Sequence, residues 1–193
     1  MLGANGLMIS SGIAILNANY LAKKLTDGGF DILYTGEKGK VGHEFIIDCR
    51  GIRHKAGITE IDIAKRLMDY GFHAPTLSFP VPGTLMVEPT ESESLFELNR
   101  FVDAMSSIKQ EIDEIINGQA DKEDNVLKNA PHTAASIAED SWPHSYSRKK
   151  AAFPAPWIVD NKFWPAIGRA DDAFGDRNLV CTCPPSDLHL NES

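Results

Sequence analysis

Two histidines, two arginines, a close pair of cysteines and twelve lysines are the side chains whose chemistry could define this 193-residue chain. His43 and His73 stand beside strand-like runs, in "VGHEFIIDC" and "GFHAPTLSF", and imidazole is the acid/base group that titrates near neutral pH. No serine, cysteine or aspartate lies within three residues of either, so no nucleophile–base motif is spelled out locally. A lone histidine at a strand edge also serves as a hydrogen-bonded structural residue. Arg169 and Arg177 occur in "GRADDAFGDRNLVC", which reads as a loop before a last apolar, strand-like run. Their guanidinium forks suit a carboxylate or phosphate, and Asp171, Asp172 and Asp176 offer partners inside the chain. Cys181-x-Cys183 with His189 falls short of a zinc site, which takes four ligands and wider spacing between paired cysteines. The expectation is no metal, and a quiet thiol is the default for each cysteine.

Neither GxxxxGK[ST] nor GxGxxG occurs in the sequence, so nucleotide chemistry of those two kinds has no local support. The formal net charge of −8 argues against nucleic acid as a partner, because a phosphate-backbone binder presents a basic face. No apolar run approaches the roughly 20 residues of a membrane span, and the first twenty residues lack the basic start of an export signal. Three cysteines do not make a disulfide framework, so a reducing compartment is expected.

The elements that must carry these groups follow from periodicity. Ile13, Leu16, Tyr20, Leu21 and Leu25 share a helical spacing that predicts an amphipathic helix, stopped by "DGG" at Asp27–Gly29. Ahead of it, "GANGLMISSG" is apolar yet punctuated by glycine and serine, which suits a segment packed on something else and reads as the cut end of a longer chain. "DILYT" and "HEFIIDCR" flank a turn-rich "GEKGKVG" and predict a hairpin with Phe45, Ile47 and Cys49 on one face.

Thr59 and Asp62 have capping-box spacing ahead of a second helix, with Ile58 and Ile63 as its staple, a buried face of Ile63, Ala64, Leu67 and Met68, and Gly71 at its end. "PTLSF" and "TLMVEP" predict two short strands, and Thr90 with Glu93 forms a second box ahead of the longest helix, Leu95 to about Ile116. Its apolar stripe runs through Leu98, Phe101, Val102, Met105, Ile108, Ile112 and Ile115, with acidic residues opposite. Residues 91–124 hold ten acidic and three basic side chains, read as a solvated helix face followed by an exposed loop.

The order helix, hairpin, helix, two strands, helix predicts an α+β fold, a small antiparallel or mixed sheet with helices on one face. Residues 1–118 are expected to form this domain, with residues 1–29 as a helix that leads in from a longer chain. Residues 119–193 are a tail that holds seven of the eleven prolines and all three tryptophans. Such aromatic content is foreign to isolated disorder, so Trp142, Trp157 and Trp164 are expected to anchor the tail on the domain or its partner. No internal repeat is evident, and from these residues alone a free-standing regulatory or protein-interaction module also remains open.

Five words in order, "AILNANYLAKKL", "HEFIIDCRG", "GFHAPTLSFPVPGTLMVEPTESES", "AAFPAPW" and "GDRNLVC", resemble the C-terminal region of the glycine decarboxylase P-protein, from Met1 to roughly Cys183. The resemblance implies the small C-terminal domain of a fold-type-I enzyme dependent on pyridoxal 5′-phosphate (PLP), within the glycine cleavage system. There PLP serves as the electron sink for loss of CO2 from glycine, and the aminomethyl group passes to the lipoyl arm of H-protein. The PLP lysine of that family follows a histidine beside a glycine-rich phosphate-binding segment. None of the twelve lysines here has such a context, so no cofactor-binding residue is expected in this chain. The implied partners are the remainder of the P-protein or a second P-protein chain, and H-protein. The implied compartment is the cytoplasm of a bacterium or the mitochondrial matrix of a eukaryote. For chemistry at the substrate mouth, His43 and Arg177 are the first candidates, with Arg169 and His73 behind them.

Overall fold

The computed structural model describes residues 2–180. A 25-residue helix, α1 (Gly3–Asp27), is followed by β1 (Asp31–Leu33), β2 (Phe45–Asp48), α2 (Arg50–Ala56), α3 (Glu60–Asp69), β3 (Thr76–Leu77), β4 (Thr84–Val87) and α4 (Leu95–Ile116). The tail adds α5 (Ala134–Ala138), α6 (Arg148–Ala152), a 3-10 turn at Pro156–Ile158, and α7 (Asp172–Arg177).

The strands form one antiparallel sheet in the order β1-β2-β4-β3. Alternation along β2 and β4 turns Phe45, Ile47, Leu85 and Val87 to one side, where Phe45 stands opposite Val87 and Ile47 opposite Leu85. That face meets Leu21 and Leu25 of α1, Ile63 and Leu67 of α3, and Met105, Ile108 and Ile112 of α4 in a single core. The expected α+β arrangement is thus present, with a wholly antiparallel sheet.

Local signals act where they were read. Thr59 Oγ1 accepts the Asp62 backbone N–H at 3.3 Å while the Asp62 carboxylate accepts that of Thr59 at 2.8 Å, a complete capping box. Gly71 follows α3 with φ +79°, a left-handed value that a residue with a Cβ adopts only at a cost.

Four readings change. The box expected at Thr90 and Glu93 is replaced by Ser94, whose hydroxyl accepts the Glu97 N–H at 3.2 Å; the Thr90 hydroxyl instead pairs with the Ser92 hydroxyl at 2.6 Å, and the Glu93 N–H donates to the Thr90 carbonyl at 3.3 Å. Ile13 and Leu16, expected on the inner face of α1, are exposed, and the buried residues are Asn17, Ala18, Leu21, Ala22 and Leu25. The strand read through Arg50 stops at Asp48, and α2 follows at once. Arg177 belongs to the short helix α7 rather than a loop, and residues 178–180 form no strand.

Glu111 also departs from the solvated face expected of α4. It is buried, with Arg66 of α3 against it: Arg66 Nη2 lies 2.6 Å from Glu111 Oε1, and Nη1 lies 2.9 Å from Asp69 Oδ2. The same guanidinium donates to the backbone carbonyls of Lys150 and Ala151, both at 2.9 Å. A buried charge must be paired and fully hydrogen-bonded to be tolerated, and here both conditions tie the tail to α3 and α4. Around it, His132 Nδ1 stands 2.8 Å from Asp69 Oδ2, and His132 Nε2 stands 3.1 Å from the Tyr146 hydroxyl.

Candidate functional site

The sheet's register assembles one end of the domain. Phe45 opposite Val87, and Thr76 opposite Met86, carry forward past the strand ends so that residues 43, 89 and 73 come level across β2, β4 and β3. His43 and His73 therefore flank the Glu88–Pro89 end of β4, one on each side. Glu88 and Pro89 form the wall shared by two hollows. One, of about 320 Å³, lies between that wall, His43 and Ser10–Ile15 of α1. The other, of about 540 Å³, is bordered by His73 and by Glu93, Glu97 and Arg100 at the start of α4.

The larger hollow has a charged rim over an aromatic floor. Phe72 and Phe101 meet edge to face with centroids 5.4 Å apart, and the Arg100 guanidinium lies 4.1 Å from the centre of the Phe72 ring. Arg100 Nε donates to Glu97 Oε2 at 3.0 Å, which fixes the fork in that position. On the other side of the wall, His43 Nε2 is 3.7 Å from Glu88 Oε1, with both side chains more than half exposed. Such a pair adds little to stability in water. Chemically, the arrangement offers two imidazoles and a carboxylate for proton transfer or for holding an ammonium group. Ser10 and Ser11 line the smaller hollow with His43, but neither hydroxyl is hydrogen-bonded to the imidazole.

Sequence reasoning singled out His43 and His73, and the fold brings those two to one wall. Glu88 and Arg100 were missed, since their place depends on strand register and on a ring stacked from another element. The two arginines are elsewhere. Arg169 donates to Asp62, to the carbonyl of Leu127 at 3.0 Å and to that of Ala130 at 2.9 Å, and lines neither hollow. Its acidic partner is Asp62 of α3, not Asp171, Asp172 or Asp176. Arg177, on α7, is exposed and also lines neither hollow. Cys181, Cys183 and His189 lie outside the described residues. Among the described residues, no group of three or more His, Cys, Asp or Glu side chains is placed to hold a metal ion.

A covalent PLP site requires a lysine facing a cavity, donors for a phosphate and a partner for the pyridine nitrogen. Four lysines pair with carboxylates, Lys109 with Asp113, Lys128 with Asp62, Lys150 with Glu114 and Lys23 with Asp27, and no lysine lines either hollow. Lys162 is the one described lysine whose pKa is lowered, by burial, and its amine donates to the Asp69 carbonyl at 3.0 Å rather than facing either hollow. The linings of these two hollows do not fit a covalent PLP site.

Residues 10–132 match the family model described as glycine dehydrogenase, C-terminal domain. That span runs from α1 through the sheet and α4 to His132. The chain is 62% identical over 183 residues to the glycine dehydrogenase (decarboxylating) of Akkermansia muciniphila, covering 95% of this chain and 19% of that protein. It is 59% identical over 189 residues to the protein of the same name from Nostoc punctiforme, covering 98% of this chain and 19% of that protein. The chain thus spans about a fifth of the length of the curated relatives it matches. By the family model, and by identity over nearly all of its own length, this α+β chain belongs to the glycine dehydrogenase C-terminal domain family.

Proposed function

We propose that the chain acts as the C-terminal part of a PLP-dependent glycine decarboxylase, the P-protein of the glycine cleavage system, and closes one side of an active site whose cofactor is carried by the large domain. The whole enzyme would release CO2 from glycine and pass the aminomethyl group to the lipoyl arm of H-protein. PLP supplies the electron sink for that step when bound. This chain supplies the His43, His73 and Glu88 wall at the substrate mouth, where an imidazole can hold or move a proton and the carboxylate can orient it. Arg177 is a guanidinium available to an anionic group, and Arg169 serves the fold through Asp62 and the carbonyls of Leu127 and Ala130.

The observation that carries this reading is the near-complete coverage of the chain by relatives named for glycine decarboxylation, of which it represents about a fifth. On its own the chain is inactive in this reading. The test has two arms. The purified chain is mixed with PLP and its absorbance followed between about 330 and 430 nm before and after borohydride, because a lysine-bound cofactor is fixed by reduction. No fixed cofactor is expected, and a fixed one would overturn the assignment of the cofactor to the large domain. The chain is then substituted for the matching region of the Akkermansia muciniphila enzyme, and release of CO2 from glycine is measured with lipoylated H-protein. Release is expected from the chimera and not from the chain, and a folded but inactive chimera would overturn the proposed function.

A further inference from the structure

The first half of α1 is uncharged, and large apolar side chains lie on opposite sides of it, with Asn5, Ser10 and Ser11 between them. Leu7, Ala14 and Leu21 are spaced by seven and so lie along one line of the helix, the line that continues into the core at Leu21. Leu2, Ile9 and Leu16, also spaced by seven, lie along the opposite side, at 64%, 58% and 66% exposure. No Asp, Glu, Lys or Arg occurs before Lys23. Leu7 itself is 60% exposed, although it shares a line with a core residue: α1 buries no residue before Asn17, and its residues 10–15 meet the domain only at the smaller hollow. A helix with large apolar side chains on opposite sides belongs inside a larger body or a membrane.

The exposed surface does not stop at α1. Tyr20 hydrogen-bonds Asn99, and a Cβ placed on Gly29 would stand 3.6 Å from Lys109 Cε, so α1 and α4 run in the same direction. One turn before Tyr20 is Leu16, and one turn before Asn99 is Leu95, also exposed. The apolar surface therefore joins the starts of α1 and α4, beside the smaller hollow that Ser10–Ile15 share with His43 and Glu88. A continuous apolar patch of this kind marks an interface.

We infer that the first half of α1, with Leu95, is the docking surface for the part of the glycine dehydrogenase polypeptide that precedes this region in its relatives, an inference that rests on the function proposed above. Three observations select that occupant. No helix among the described residues is long and apolar enough to cross a membrane. A two-fold pairing of α1 with a second copy would cover one side and leave the opposite side wet, whereas both sides are apolar. The matched family region is a C-terminal domain, and about four-fifths of the length of each relative lies outside the match. Docked this way, α1 brings the His43–Glu88 hollow to the domain junction.

Hydrogen exchange tests the surface directly, comparing the isolated chain with the Akkermansia muciniphila chimera. Amides of residues 3–16 are expected to exchange at least about 100-fold more slowly in the chimera, while β2 and β4 exchange alike in both. Leu7→Asp and Leu16→Asp in the chimera are expected to restore fast exchange across residues 3–16, and Phe163→Asp, an exposed apolar position on the tail, to leave it unchanged. Equal exchange of residues 3–16 in chain and chimera overturns the inference. So does an isolated chain that forms a stable dimer with residues 3–16 protected. A chimera that decarboxylates glycine with α1 unprotected refutes the docking surface alone, and one with α1 protected and no activity refutes the proposed function alone.

Discussion

Arg66 and Glu111, 45 positions apart, form a buried bidentate pair: Arg66 Nε is 3.0 Å from Glu111 Oε2 and Nη2 is 2.6 Å from Oε1. With Asp69 and the carbonyls of Lys150 and Ala151, every N–H of the guanidinium is used. Burial alone would disfavour the charge. Glu111 and Asp69 more than offset it, and the guanidinium pKa is raised above its ordinary value. One side chain thereby joins α3, α4 and the tail.

Arg66→Ala leaves two carboxylates buried without their cation, so it is expected to cost about 3–5 kcal/mol. Urea unfolding followed by circular dichroism measures this. Limited proteolysis is expected to cut first near residues 148–152, because two of the lost bonds held that segment. A loss below about 1 kcal/mol, the range of surface pairs, would show that the network is not the tie described.

Asp62 gives the domain a pH dependence. Burial acts to raise its pKa, but the Thr59 N–H, Lys128 and Arg169 outweigh burial and hold the carboxyl below the usual range. A carboxyl with a depressed folded pKa contributes stability above its unfolded pKa of about 4, lost as pH falls through the folded value. Asp62→Asn should lower stability by about 1–3 kcal/mol at pH 7. The gap from the native protein should narrow below about pH 4. Melting curves from pH 2.5 to 7 report it, and a gap that stays constant across that range would contradict the assignment.

What the sequence disclosed was what depends on neighbours in the chain. The Thr59 box spans three residues, and the stripe of α4 repeats at helical spacing, so both were legible. Ser94 and Glu97 have the same spacing as Thr90 and Glu93, and in the fold the Thr90 hydroxyl turns to Ser92 while its carbonyl is engaged by Asn17, 73 residues away. Helix α2 is seven residues long with little apolar period to announce it. At the site, His43 and His73 were visible as residue types. Their common wall at Glu88 required the register of three strands, which no local pattern encodes.

Cys49 should be inert in the folded chain. Burial, reinforced by the carboxylates of Glu60 and Asp48, pushes its thiol up to about 12, so almost no thiolate exists at pH 8. Iodoacetamide labelling mapped by mass spectrometry is expected to leave the Cys49 peptide unmodified in buffer and to modify it fully in urea. Native labelling at the rate of a free thiol would mean that the α2 end of the core opens readily.

The two arginines proposed for the site should separate by mutation, because the fold gives them different work. Arg169 bonds Asp62 and the carbonyls of Leu127 and Ala130, so Arg169→Ala withdraws a cation from a buried carboxylate and donors from two carbonyls. A loss of about 1–3 kcal/mol is expected, read by urea unfolding. Arg177 is exposed on α7, and Arg177→Ala should change stability by less than about 0.5 kcal/mol. In the chimera the order is expected to reverse when activity is read at a temperature where both variants are folded. Arg177→Ala should then raise the KM for glycine or for H-protein while Arg169→Ala leaves it near that of the parent. If Arg177→Ala alters neither stability nor KM, its guanidinium has no part at the substrate mouth, and the site reduces to the histidines and carboxylate around Pro89.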